Sequence, residues 1–89
     1  MKKILAIDLG KFKSVTCLLD TETNKTEFWT MTTDRHYLKT VLDNYQPDLV
    51  VIEACSICGW IHDECQALGF EVLVCNPAQE AWKWKNRAQ

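Results

Sequence analysis

The spacing of apolar residues predicts three strands in the first third of the chain. Residues 3–9 form a near-continuous apolar run that contains Asp8 and stops at Gly10, which is typical of a central strand covered on both faces of a sheet. Further strands are predicted at 14–19 and 25–32, each after a short turn-forming stretch. We expect these three strands to form an antiparallel meander.

The pattern then changes to a helical period. Asp34 is a good N-cap, and the apolar residues that follow recur on one helix face: Tyr37, Leu38, Val41, Leu42 and Tyr45. Pro47 ends this helix because proline cannot continue it. A fourth strand at 49–52 is entirely apolar and is closed by Glu53.

A second helix is predicted next, and a fifth strand after it completes the predicted sheet. The helix has its own apolar positions, at Ile57, Trp60, Ile61, Cys65 and Leu68, and Gly69 as its stop. The fifth strand is predicted at 70–74 and a third helix at 79–89. The order β-β-β-α-β-α-β-α predicts a single α/β domain over 1–89, with a mixed sheet of five strands.

This order predicts that two acids meet at one edge of the sheet. A right-handed crossover returns the fourth strand parallel to the first and beside it, so Asp8 and Glu53 end neighbouring strands at the same edge. Such carboxylates repel each other unless a divalent cation lies between them or one is protonated. Their hard oxygen ligands suit Mg²⁺ or Mn²⁺. The alternative is that each acid merely ends a strand and faces water.

Composition limits the other possibilities. No apolar stretch approaches the roughly 20 residues of a membrane span, and the run after Met1 is too short for a signal peptide. The odd number of cysteines, five in all, suits reduced thiols, so we expect a cytoplasmic protein. A net charge of −2 predicts that any DNA contact is local.

The last residues interleave tryptophans with cations. Lys83, Trp84, Lys85 and Arg87 are suited to stacking on bases and pairing with phosphates, although a tryptophan here can instead pack in the core.

Two other groups of residues could bind a metal, but a structural role fits them better. The Cys55-x-x-Cys58 spacing has no second ligand pair for zinc, and the neighbours His62 and Asp63 are typical of a surface polar pair.

Four segments together resemble the first half of the DEDD-type insertion-sequence transposases, the bridge-RNA-guided recombinases that have a RuvC-like domain. The segments are IDLGKFKS at 7–14, VIEAC at 51–55 followed by GWIHD at 59–63, and EAWKWKN at 80–86. The resemblance implies an RNase H-like (RuvC-like) fold, incomplete at its C-terminus, and a role in DNA transposition.

In that family four acids, in the order Asp, Glu, Asp, Asp, bind magnesium, and a serine in a separate domain attacks DNA. Asp8 matches the first acid and Glu53 the second, while the later acids and the serine would lie beyond Asn86. The resemblance therefore implies metal-dependent DNA strand cleavage and transfer by the family, with DNA and a guide RNA as partners. We expect the isolated chain not to recombine DNA.

Two other functions remain open. Actin-like and sugar-kinase-like ATPases also have Asp-x-Gly in their first hairpin, but their phosphate-binding turn prefers small residues where this chain has Lys11 and Phe12. A non-catalytic module that pairs with a full-length recombinase needs none of the missing residues. Without the later helices of the fold one sheet face would be uncovered, so we also expect self-association.

Overall fold

The computed structural model of the chain describes residues 2–53 and 59–75, and these ranges contain the five strands and first two helices in the predicted order. The elements are β1 (Lys3–Asp8), β2 (Lys13–Asp20), β3 (Lys25–Thr32), α1 (Arg35–Tyr45), β4 (Leu49–Glu53), α2 (Gly59–Ala67) and β5 (Val72–Cys75). The predicted third helix at 79–89 lies outside the described residues, as does Ile57 of the second.

The strands form one mixed sheet with β1 at its centre. Its strand order is β3-β2-β1-β4-β5. β1 pairs antiparallel with β2 and β2 with β3, whereas β4 is parallel to β1 and β5 is parallel to β4. The predicted meander and the crossover that returns the fourth strand beside the first are both confirmed.

One face of the sheet carries the core, and we call it the covered face. Alternate residues of the central strands, such as Leu5 and Ile7 of β1 and Ile52 of β4, are fully buried on it. They cluster with Leu38 of α1 and Ile61 of α2, so both helices pack on this side. Helices on one side follow from two crossovers of the same hand that move in the same direction across the sheet.

The opposite face, which we call the open face, is apolar but only partly buried. Cross-strand pairing assigns it these apolar residues, with Thr26 and Thr30 of β3 beside them: Ile4, Ala6, Val15, Cys17, Leu19, Phe28, Leu49, Val51 and Leu73. Phe28 is 71% exposed and Leu73 is 52% exposed. The expectation that β1 is covered on both faces is therefore not met within the described part of the chain, where the helices contribute to one face only.

The helix ends follow the predicted signals. The Asp34 carboxylate accepts a hydrogen bond from the Tyr37 backbone N–H at 3.1 Å, and Gly69 adopts a positive φ of 90° just after α2. Gln46, with a φ of 45°, ends α1 before Pro47 is reached. Tyr37 differs from the prediction because it is 41% exposed rather than core.

The two helices are also linked to each other. The Arg35 guanidinium lies 3.2 Å from the Glu64 carboxylate and 5.8 Å from the centroid of the Trp60 ring. The contact joins the start of α1 to α2 across the covered face. Neither described helix is long and apolar enough to cross a membrane.

Candidate functional site

Asp8 and Glu53 are the last residues of two adjacent parallel strands. They are direct register partners in the β1–β4 pair, and the Leu9 backbone N–H donates to the Glu53 carbonyl oxygen at 3.0 Å. Because side chains alternate along a strand, the burial of Ile7 and Ile52 on the covered face turns both acids to the open face. The predicted placement of the two acids at one edge is confirmed.

The two carboxylates open into a shallow pocket of about 270 Å³. Its apolar wall comes from β2 and β3, through Val15 and Phe28, and its floor from Ala6 and Cys17. Both acids are solvent-exposed. A ligand approaching the carboxylates would therefore meet charge on one side and apolar surface on the other.

No lysine or arginine of the described residues forms a salt bridge with either acid. Adjacent strands lie roughly 4.8 Å apart, so two ionised carboxylates in register repel each other, and a cation between them relieves that repulsion. Exposed, hard oxygen donors without a protein counter-ion fit Mg²⁺ or Mn²⁺. Over residues 2–53 and 59–75, no group of three or more His, Cys, Asp or Glu side chains is arranged to hold a metal, so the pair is at most part of a ligand set.

A partly buried hydroxyl network holds the chain just after Asp8. The Gly10 backbone N–H donates to the Ser14 hydroxyl at 3.3 Å, the Thr33 hydroxyl donates to the Gly10 carbonyl at 2.8 Å, and the two hydroxyl oxygens lie 2.6 Å apart. Since the Thr33 proton is used on Gly10, the Ser14 hydroxyl donates to Thr33. A Cβ on Gly10 would collide with the Lys13 carbonyl oxygen, so this turn requires glycine.

The other residues singled out from the sequence lie elsewhere. Lys83, Trp84, Lys85 and Arg87 are outside the described residues, as are Cys55 and Cys58. His62 and Asp63 form a local pair, 3.4 Å between Nδ1 and Oδ1, on α2. That helix packs on the covered face, whereas the two strand-end acids face the open side, so this pair does not join them.

The described cysteines do not form a reactive cluster. Cys17, Cys65 and Cys75 are free thiols. Burial, with a smaller contribution from the Glu64 charge, raises the pKa of the Cys65 thiol to about 11, which keeps it protonated and unreactive at neutral pH. Cys65 is thus a core residue, as its helical spacing predicted.

Comparison with known proteins identifies the fold. No protein-family model and no curated protein sequence matches the chain. Among solved structures, it is similar to the fowlpox virus Holliday junction resolvase, with a TM-score of 0.60, 20% sequence identity, and coverage of 84% of this chain and 61% of the resolvase. It is also similar to YeaZ from Pseudomonas aeruginosa, with a TM-score of 0.53, 16% identity, and coverage of 97% of this chain and 51% of YeaZ.

These likenesses show the fold class. The chain has an α/β, RNase H-like fold of the kind found in the resolvase, and it spans less than two thirds of either matched protein. A fold of this kind hosts different chemistries, so the activity has to be argued from the site itself.

The sequence patterns did not indicate the pocket wall. Val15 and Phe28 are far apart along the chain, and only the β1–β2 and β2–β3 registers bring them beside the acids. Strand alternation combined with the correct register would have identified them, because Val15 pairs with Asp8 and Phe28 with Cys17.

Proposed function

We propose that this chain is the amino-terminal part of a metal-dependent DNA-cleaving domain that acts in DNA transposition, related to the DEDD transposases. Asp8 and Glu53 would hold Mg²⁺ or Mn²⁺ and bring it to the scissile phosphate. The observation that carries the proposal is the direct pairing of these two acids at the ends of β1 and β4. The likeness to the fowlpox virus Holliday junction resolvase supports a DNA substrate.

In this proposal the protein positions the phosphate group. The two carboxylates provide a negatively charged edge to which a phosphodiester comes close only with a divalent cation between them. When bound, such a cation stabilises the charge that develops on the attacking and leaving oxygens in strand cleavage. Val15 and Phe28 line the pocket beside the pair and would border the bound phosphodiester on that side.

The proposal predicts that the chain binds Mn²⁺ or Mg²⁺ through both acids. Asp8→Asn and Glu53→Gln should each weaken Mn²⁺ binding about tenfold or more, since even the outer-shell partners of metal ligands cost that much when changed. Isothermal titration calorimetry with MnCl₂ measures the loss. Glu27→Gln is the matched control, because Glu27 is an exposed acid on the edge strand β3, two strands away from β1.

Three results would count against this function. Equal Mn²⁺ affinity in the wild type and in the Asp8→Asn and Glu53→Gln variants would remove the metal role. Binding of ATP with magnesium that is lost on Asp8→Ala would favour an ATPase instead. If the wild type binds no metal, and Asp8→Asn binds a full-length recombinase as well as the wild type does, a non-catalytic module that modulates that recombinase would be favoured.

The open face supports a further part of the proposal, the assembly of two copies. This surface carries apolar side chains on all five strands, with threonines beside Phe28 on β3, and its charged side chains within the strands lie at the edge with Asp8 and Glu53. A second copy offers the same apolar surface in a self-complementary arrangement. If the chain acts as the DEDD transposases do, a guide RNA would bind this two-copy assembly together with DNA.

A further inference from the structure

The hairpin formed by β1 and β2 carries, next to the strand end with Asp8, an exposed aromatic residue that has a lysine on each side of it in the sequence. We call residues Lys11, Phe12 and Lys13 the hairpin tip. All three are exposed, and the Phe12 ring is 75% exposed, more than any other large apolar side chain of the described residues. The Lys11 ammonium lies 5.4 Å from the ring centroid. A single exposed apolar side chain is common on protein surfaces; here it is the combination of the ring with a cation lying against it that suits a ligand.

The protein fixes the hairpin tip in this position. The Thr33 backbone N–H donates to the Phe12 carbonyl oxygen at 2.8 Å, and the Ser14 and Thr33 hydroxyls hold Gly10 on the other side of the tip. Ser14 is fully buried. Hydrogen bonds thus hold the backbone on both sides of Phe12, and this backbone conformation places Phe12 at the surface.

Neither lysine of the tip has an acidic partner among the described residues. The salt bridges of the described residues join Lys2 to Glu22, Arg35 to Glu64 and His62 to Asp63, so neither Lys11 nor Lys13 is engaged in one. Two cations beside an exposed aromatic face match a ligand that combines phosphate groups with flat rings. A single strand of nucleic acid has both, and its bases are available for stacking.

We propose that the hairpin tip binds a nucleic-acid strand, with Phe12 stacking on an unpaired base and Lys11 and Lys13 contacting the phosphates that flank it. This deepens the proposed function and rests on it. Only Leu9 and Gly10 separate the tip from Asp8 along the chain, so a strand held there would pass close to the carboxylate edge. Duplex DNA fits less well because its bases are already stacked on each other.

The test measures binding of a dye-labelled oligonucleotide by fluorescence anisotropy. The buffer contains EDTA, so that no metal contributes. Phe12→Ala should weaken binding about tenfold, in the range that loss of one stacking partner causes. Phe12→Trp should retain the affinity, and Phe12→Leu, which keeps apolar bulk but removes the aromatic face, should behave like Phe12→Ala. A DNA and an RNA oligonucleotide of the same sequence show which sugar is preferred.

The lysines are tested by salt dependence. Lys11→Ala and Lys13→Ala should each lower the slope of log affinity against log salt by about 0.7, as expected for one phosphate contact to a single strand. Lys25→Ala is the matched control, because Lys25 begins β3 at the opposite edge of the sheet and pairs with Asp20 rather than with the tip. Its slope should equal that of the wild type.

Specific outcomes overturn the proposal and separate it from the metal site. Wild-type affinity in both Phe12→Ala and Phe12→Leu, or no binding of either oligonucleotide by the wild type, removes the role of the tip. If Mn²⁺ binding is then still lost in Asp8→Asn, the proposed metal function stands without it. Loss of oligonucleotide binding in Phe12→Ala, in a chain that binds no Mn²⁺, leaves the tip as a nucleic-acid contact and removes the nuclease.

Discussion

At the scale of single residues, Asp48 shows how one carboxylate can attach the start of the chain to the sheet. Its Oδ2 accepts hydrogen bonds from the backbone N–H groups of Lys2 and Lys3, both at 2.9 Å, and its own N–H donates to the Lys3 carbonyl at 2.9 Å. The N–H group of Lys3 and then that of Lys2 stabilise the charged form, which holds the pKa of Asp48 below the ordinary value of 3.8.

This depressed pKa predicts a pH-dependent contribution to stability. A group whose pKa is lower in the folded state stabilises the fold above its unfolded pKa, here about 3.8, and loses that contribution as the pH falls through the folded value. Asp48→Asn should therefore lower the urea midpoint at neutral pH, and the difference from the wild type should shrink in strong acid. Circular dichroism across a pH series measures both.

The control for this effect is Asp43→Asn, which removes a charge of the same kind from the exposed surface of α1. Its urea midpoint should differ from that of the wild type by a smaller amount at neutral pH. A midpoint difference for Asp48→Asn that stays constant from neutral to strongly acidic pH would contradict the linkage.

Residue-level prediction from the sequence succeeded where the signal was local. Asp8, Glu53 and Asp34 each follow or precede a patterned segment, so their positions at element ends were predictable. The partnership of Ser14 with Thr33 was not, because it depends on the β2–β3 pairing of residues far apart along the chain. The exposure of Phe12 was not predictable for the same reason, because it depends on how the hairpin is held by Ser14 and Thr33.

At the scale of elements, α1 depends on its first turn. Asp34 has extended backbone geometry and its carboxylate accepts from the Tyr37 N–H at 3.1 Å, which satisfies one of the donors left free at a helix start. Asp34→Ala should lower the free energy of unfolding by about 1 kcal/mol. Asp34→Asn keeps the acceptor and should retain most of the stability, as measured by urea denaturation. Equal loss in both variants would assign the effect to charge rather than capping.

Element boundaries were less predictable than element order. β2 extends one residue beyond the prediction at each end, and β5 begins at Val72 rather than at 70. Strand ends depend on how far the neighbouring strand continues, and a single segment does not contain that information. The order was predictable because the change from strand to helix period is strong and right-handed crossovers leave few arrangements.

At the scale of the whole molecule, one face of the sheet stabilises the fold and the other carries the candidate site. The covered face carries the core with α1 and α2, while the open face combines the carboxylate edge with an apolar surface that reaches from Phe28 on β3 to Leu73 on β5. A monomer rarely exposes a contiguous apolar surface of this kind without using it. The site and the proposed assembly surface thus share one side of the molecule.

Self-association through the open face is therefore the prediction at this scale. Phe28→Lys and Leu73→Lys should each raise the dissociation constant of a dimer about tenfold or more, since every 1.4 kcal/mol of lost interaction is a factor of ten. Sedimentation velocity over a concentration series measures it. Phe12→Lys is the matched control, because Phe12 is as exposed as Phe28 but lies at the hairpin tip. A wild type that stays monomeric at every concentration, or equal weakening by all three lysines, would contradict assembly through this face.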